Sequence, residues 1–304
     1  MATVLSTYSI ATVGDGLVGQ IPSLLISVST GMIVTRAVSE GSLNEDVSKQ
    51  FTQQPRSMMI TGIAMGVLML IPGMPILQIL PVAGGFIALA FVFYTTTQTG
   101  SADMPWGVAK LIGGTVFSLG VTMCVVFGAE LFTSSTLTAV AKATHRITWG
   151  QMFKNWFVVY GGNFIGGLSV VALIWFAGQI MAANGQWGLT ILKTAQHKIH
   201  HTWMEAFTLG ILCNIMVCVA VWMANAGKSL TDKAFIMILP IALFVSSGFE
   251  HCVANMFMIP MGIAIAQGAE PSFWTAIGVD PATYADLDVS HFIVKNLIPV
   301  TLGN

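Results

Sequence analysis

Long apolar runs alternate with short polar stretches along most of the chain. Runs at 17–35, 57–70, 76–97, 108–140, 156–183, 202–225, 234–266 and 290–304 are nearly free of charge. Between them, 36–56, 141–155, 184–201, 226–233 and 267–288 are polar and read as loops. A helix needs about 20 consecutive apolar residues to cross a bilayer, so the pattern predicts an all-α multi-span membrane protein. Composition agrees. Of 304 residues, 55% are hydrophobic and 8% charged, against about 25% charged in a soluble domain. Mean hydropathy is +0.78. The formal net charge of −1 gives no reason to expect a nucleic-acid partner. The N-terminus lacks the basic-then-apolar layout of a cleaved signal peptide.

Two of the runs, 108–140 and 234–266, are longer than one crossing requires, and both are interrupted by Gly-x-Glu. The interruptions are Gly128-Ala129-Glu130 and Gly248-Phe249-Glu250, 120 positions apart. A second repeat follows each. Lys154-Asn155, Val159 and Gly162-Asn163 recur as Lys295-Asn296, Val300 and Gly303-Asn304, 141 positions on. Each half then holds three crossings: plain, interrupted, plain. An odd number of crossings per repeat forces the halves into opposite orientations, and inverted repeats with broken helices meeting at midplane are a transporter and channel architecture.

The ionisable pair Glu250-His251 lies inside such a run, where ionisable groups usually line a polar path or pair with each other. His251 titrates in a range useful for donating or relaying a proton; a histidine in an apolar run is also often a hydrogen-bonded structural group. Lys198, in the polar stretch before a span, reads on its own as an interfacial lysine. His197, His200 and His201 have helical metal spacing, but no fourth ligand accompanies them, and no metal or other cofactor is assigned. The cysteines Cys124, Cys213, Cys218 and Cys252 read as small apolar packers. Gly14-Asp15-Gly16 lacks the spacing of a phosphate cradle and reads as a turn. Gly162 and Gly166 permit close helix contact. No nucleophile–base arrangement stands out, so an enzyme is not expected.

From about residue 83 the chain resembles the formate/nitrite transporter family. The motifs are Ala90-Phe91-Val92-Phe93-Tyr94, Gly128-Ala129-Glu130-Leu131-Phe132-Thr133-Ser134, Arg146-Ile147-Thr148-Trp149-Gly150-Gln151, Phe249-Glu250-His251 and Asn255-Met256-Phe257-Met258-Ile259-Pro260-Met261-Gly262. The resemblance implies six helices, the second and fifth broken, in an aquaporin-like arrangement. It also implies a homopentamer in the lipid of the bacterial inner membrane, with one pore per subunit for formate or a similar small anion. Residue by residue, it implies that Thr133 faces His251 across the pore, that Lys198 is the vestibule lysine, and that Asn214 and Asn304 are pore asparagines. Phe117, Val121 and Phe244, and separately Leu131, Phe132 and Val217, match the family's apolar constrictions; for any one of them, plain helix packing is the simpler reading. Glu130 and Glu250 brace the broken helices in this scheme. The family pattern has leucine and aspartate where this chain has Val121 and Glu130.

The start of the chain is different. Gly14-Asp15-Gly16-Leu17-Val18-Gly19-Gln20-Ile21-Pro22, Leu24-Leu25-Ile26-Ser27, Ile33-Val34-Thr35-Arg36 and Ile71-Pro72-Gly73-Met74-Pro75 resemble the membrane part of the flagellar and type III secretion export-gate family. The division expected is therefore an export-gate-like fragment at 1–80 and a channel-like domain at 81–304. Loop charges sharpen it. Basic loops prefer the cytoplasm, which places 141–155 and 226–233 inside and 267–288 outside. Counting back puts 36–56, with three basic residues, outside. The two pieces thus want opposite orientations, as a fusion near 76–90 would. From Ser290 the last run allows ~22 Å of helix against a ~30 Å hydrocarbon core, which reads as a truncated final helix. The expected function is a proton-coupled formate channel. The alternatives are a structural fragment of an export gate, or a fusion that does not function.

Overall fold

The computed structural model describes residues 75–304, within the unit Gly73–Asn304. The expected crossings at 17–35 and 57–70, the stretch 36–56 and the turn at Gly14-Asp15-Gly16 lie outside the described residues. Among those described, all regular structure is helical.

The first half opens with α1 (Pro75–Gln98) and α2 (Trp106–Val126). The chain then breaks and resumes as the short helices α3 (Phe132–Ser135) and α4 (Thr138–Ala143). The half closes with α5 (Trp149–Phe176). A connecting helix, α6 (Gln186–Ile199), leads to the second half. There α7 (Trp203–Ala224) is followed by α8 (Leu230–Ser246), a break, and α9 (Cys252–Gly268). After α10 (Pro271–Ile277), a last span runs through α11 (Val289–His291), a π-helical stretch (Phe292–Leu297) and α12 (Ile298–Gly303). Among the described residues, α2, α5 and α7 are long and apolar enough to cross a membrane as single helices.

The two halves repeat one pattern. α1 packs on α2 and α5, as α7 packs on α8 and α12. α2 and α8 both end in a turn with a left-handed glycine, Gly128 at φ 66° and Gly248 at φ 73°, a conformation that suits a residue without Cβ. The amide of Ala129 bonds the carbonyl of Cys124 at 2.8 Å, and that of Phe249 bonds Phe244 at 3.0 Å, the same six-residue closure at positions 120 apart. The Tyr160 hydroxyl lies 2.9 Å from Thr301 Oγ1, and these two positions differ by the repeat offset of 141. A contact between equivalent positions sits on the axis relating the halves.

Several boundaries differ from the sequence expectation. The polar stretch 184–201 is not a loop. It forms α6, because Trp187, Ile191, Leu192, Ala195 and Ile199 recur at helical spacing and are all buried, while polar residues fill the other face. α5 starts at Trp149, not near 156, because Thr148 and Gln151 form a capping box that satisfies the first amides. The same device starts α7 at Thr202 with Glu205 and α8 at Ser229 with Asp232. The stretch 267–288 contains α10 instead of being irregular throughout. The last span is not uniformly α-helical, since Pro299 has no N–H to offer the carbonyl of Lys295, four residues back, and a π segment accommodates the loss.

Glycine sets the distance between helices. A Cβ on Gly166 of α5 would stand 1.9 Å from the Pro81 carbonyl oxygen of α1, and one on Gly303 would stand 2.2 Å from that of Phe207 on α7. Close approach through small residues is how helices associate where lipid supplies no hydrophobic drive. Replacing Gly166 by Val is expected to force α1 and α5 apart, at a cost of about 1–3 kcal/mol or more. Size-exclusion recovery in detergent should fall sharply while Gly161→Ala, whose Cβ would meet nothing within 4 Å, behaves as wild type.

Candidate functional site

The two breaks leave backbone groups without helical partners, and asparagines supply them. Asn163 Oδ1 accepts from the Phe132 amide at 2.9 Å, and its Nδ2 donates to the Glu130 carbonyl at 3.0 Å. Asn304 does the same for the other break. Its Oδ1 accepts from the Cys252 amide at 2.7 Å, and its Nδ2 donates to the carbonyls of Glu250 at 3.0 Å and Gly210 at 2.7 Å. Asn163 and Asn304 are the repeat positions singled out above. The amide of Asn304 is therefore fully occupied by backbone.

Held this way, the breaks bring His251 and Thr133 together. His251 Nε2 lies 3.0 Å from Thr133 Oγ1, and both residues are buried. His251 is also the N-cap of α9, its Nδ1 accepting the Ala254 amide at 3.1 Å. An amide only donates, so Nδ1 carries the lone pair and the neutral ring carries its proton on Nε2. Nε2–H then donates to Thr133 Oγ1, leaving the threonine hydroxyl hydrogen free for another acceptor. The imidazole stacks on Phe244 at 5.8 Å between centroids. Phe244 meets Phe117 edge to face at 5.9 Å.

On one side of this aromatic pair is a cavity of about 110 Å³, enough for several water-sized molecules. His251, Phe117, Phe244, Lys198, Glu250, Lys110, Tyr94 and His197 are among its walls. Lys198 is not a free cation. Its Nζ donates to Glu250 Oε1 at 2.7 Å, and both side chains are buried. Glu250 Oε2 accepts from Asn255 at 2.6 Å and Asn296 at 3.2 Å. Asn296 in turn accepts from Asn255 Nδ2 at 2.7 Å and donates to the Lys198 carbonyl at 3.0 Å. One carboxylate thus ties α6, α9 and the π segment together. His201 Nε2 lies 3.6 Å from Glu250 Oε1, too far for a hydrogen bond. Glu130, the repeat partner of Glu250, is exposed and accepts from Asn155 at 2.8 Å.

On the Thr133 side lies a second polar group. Asn214 Nδ2 donates to Thr136 Oγ1 at 3.0 Å, and the Asn214 carbonyl oxygen has no partner among the described residues. Cys218 Sγ sits 3.5 Å from Thr136 Oγ1. Val121, Leu131 and Val217 are buried in the core. The Phe132 ring meets Trp156 and Tyr160 of α5 edge to face. His200 pairs with Asp286, and the His197 and His201 rings meet edge to face, so the three histidines do not converge. Lys110 and Thr136 were not singled out from the sequence. An ionisable group in an apolar run, the signal that marked Glu250, also marks Lys110.

Inverted helix triplets with broken members meeting at a buried polar pair define a class of helical membrane transporters. The chain belongs to the formate/nitrite transporter family, whose model matches residues 76–304. It is 75% identical over 222 residues to the formate channel FocA of Haemophilus influenzae, covering 73% of this chain and 78% of that one. It is 62% identical to the formate channel FocA of Escherichia coli K12 over the same shares. A solved pentameric formate channel with formate bound superposes with a TM-score of 0.72 and 53% identity, over 75% of this chain and 89% of that one. These relatives are transport proteins, not enzymes. The FHIPEP family model matches residues 1–110, as the export-gate resemblance of the first 80 residues implied, and overlaps the other match over 76–110.

The Lys198–Glu250 pair has a measurable signature. Lys198→Met leaves a buried carboxylate without its counter-ion and is expected to cost about 3–5 kcal/mol. Adding Glu250→Gln should recover most of that loss. Thermal unfolding in detergent of both single variants and the double variant checks this, and strictly additive effects would deny the coupling.

Proposed function

We propose that the chain is a channel for formate, working as a homopentamer in the bacterial inner membrane with one path per subunit. The observation that carries the reading is the His251–Thr133 pair, 3.0 Å apart where the two breaks meet, between a cavity on one side and the Asn214–Thr136 group on the other. The names and bound ligand of the relatives supply the substrate. Formate enters at the cavity, passes Phe117, Val121 and Phe244, reaches His251 and Thr133, and leaves past Leu131, Phe132 and Val217 towards Asn214. Asn304 serves the path indirectly, by fixing the break that aims His251.

Desolvation explains why a proton is useful. A carboxylate loses most of its hydration among phenylalanine rings, and formic acid loses far less. The free hydroxyl hydrogen of Thr133 can hold the anion at the pair. A proton from the cavity side enters His251 at Nδ1, which requires the ring to leave the Ala254 amide. The imidazolium then passes its Nε2 proton to the carboxylate, directly or through the threonine hydroxyl. Neutral formic acid moves on and leaves the ring with its remaining proton on Nδ1; the ring regains its cap once a water in the cavity takes that proton from Nδ1 and returns one to Nε2. The positive end of α9, which starts at this point, favours the arriving anion.

Labelled formate uptake by proteoliposomes under an imposed pH gradient tests the scheme. An acidic outer bath should stimulate wild-type uptake, and His251→Ala should lose about a hundredfold or more of that stimulation, the low end of what general acids contribute. A variant that keeps its full gradient response sinks the proton-coupled mechanism.

We also infer that the chain joins two parents near residue 80. The FHIPEP match favours a second role for residues 1–80, as a structural fragment that contacts export-apparatus proteins. Affinity capture with the full chain and with a variant lacking 1–74 separates the two readings. Export proteins recovered only with the full chain support that role, and equal recovery denies it.

A further inference from the structure

We infer that Lys110 is the cation that draws the anion into the entrance cavity, and that Lys198 is not. The inference rests on the channel reading above and concerns which charge serves it. Two lysines and one carboxylate line the cavity: Lys110, Lys198 and Glu250. Lys198 and Glu250 are in contact at 2.7 Å, so at the distance of an approaching ion their charges nearly cancel. Lys110 has no such partner. Among the described residues no carboxylate lies within ion-pair distance of it, and its ammonium donates to the neutral Tyr94 hydroxyl at 3.3 Å. Its charge is what remains when the cavity's charges are counted.

Neither imidazole in the wall supplies it at rest, since His251 keeps Nδ1 unprotonated to accept the Ala254 amide. The His197 imidazole is pushed below its ordinary range, first by burial and then by the nearby His201 and Lys198, which favours its neutral form. Lys110 is also well placed to act. It lies in the first turns of α2, half-buried, beside Tyr94 of α1. Its main chain is fixed by the Ser246 hydroxyl of α8, which donates to the Lys110 carbonyl at 2.9 Å. The stem is anchored while the ammonium keeps donors to offer, since an ammonium carries three and the tyrosine takes one. A small carboxylate in the cavity finds there a charged donor that need not be pulled from another partner. A lone charge in a low-dielectric cleft raises the local concentration of its counter-ion and speeds entry, an effect that salt screens.

Formate uptake in proteoliposomes, measured against substrate concentration at low and high ionic strength, tests this with wild type, K110M and K110R. For K110M the expected result is a half-saturating concentration about tenfold higher, the low end of what charged clefts achieve, with the maximal rate retained. The salt dependence of wild-type entry should disappear in K110M. K110R keeps the charge and should restore both within about twofold, at an unchanged melting temperature. Unchanged half-saturation and salt dependence in K110M overturn the inference, and so does a K110R variant as impaired as K110M, which would make the role one of packing. If K110M does not fold, the K110R comparison and the wild-type salt dependence still decide, since salt-independent wild-type entry denies a charge role. Wild-type protein that carries no formate fails the channel reading itself, whereas a working wild type beside an unaffected K110M fails only this inference.

Discussion

A helix interrupted at membrane depth exposes amides and carbonyls that no water can reach, and each left unpaired costs several kcal/mol. The architecture depends on how this constraint is met twice. Asn163 and Asn304 each present one acceptor and one donor to the same pair of backbone groups at the two breaks. An asparagine amide is uncharged and presents its acceptor and its donor on separate atoms, so the breaks are held without bringing a further charge into the apolar interior. Because the clamps repeat at an offset of 141 and the breaks at 120, each asparagine comes from the span that follows its own break. Each half is thereby closed on itself, and the halves meet at the Tyr160–Thr301 contact.

What the breaks place at the centre is uneven, and the proposed function draws on that asymmetry. The break positions equivalent to His251 and Val253 are Leu131 and Thr133. The polar side chain therefore sits at the first position of one break and the third of the other, and the two reach each other across the interface. The same inequality appears in the acidic residues. Glu250 is buried and carries Lys198, Asn255 and Asn296, whereas Glu130 is exposed and holds Asn155. A buried carboxylate needs a counter-ion, and supplying one from α6 fixes that helix over the second half. Inverted symmetry builds the frame, and departures from it set the polar groups at its centre.

The spans, the two breaks and the repeat were legible because they follow from hydropathy and from spacing, which need no knowledge of partners. His251 and Glu250 were legible for the same reason, as ionisable residues in an apolar run. Three things were not. α6 was hidden because its polar residues outnumber what an apolar-run criterion tolerates, although its buried positions keep helical spacing. The start of α5 was hidden because a capping box is decided by Thr148 and Gln151, not by hydropathy. The assignment of Lys198 to Glu250 was hidden because 52 positions separate them, and ion pairing at that range is a property of the packed helices. The work of Asn304 was half visible: its repeat with Asn163 was plain, but the backbone groups it satisfies were not.

In the proposed mechanism His251 joins two duties that pull against each other. As the cap of α9 it must keep Nδ1 unprotonated to accept the Ala254 amide, and as a proton carrier it must at some point accept a proton there. Since an imidazolium has two donors and no acceptor, charging the ring and uncapping the helix are the same event. The cost of uncapping, typically about 1 kcal/mol, is recovered only when Nδ1 gives up its proton, so the cap acts as a restoring force that favours the Nε2–H tautomer after each transfer. Thr133 completes the cycle, because a hydroxyl can accept from Nε2 and donate to an anion at once. A carboxylate at 133 would trap the imidazolium as an ion pair, and an apolar residue would leave Nε2–H without a partner. The pair works because one member can change its charge and the other cannot.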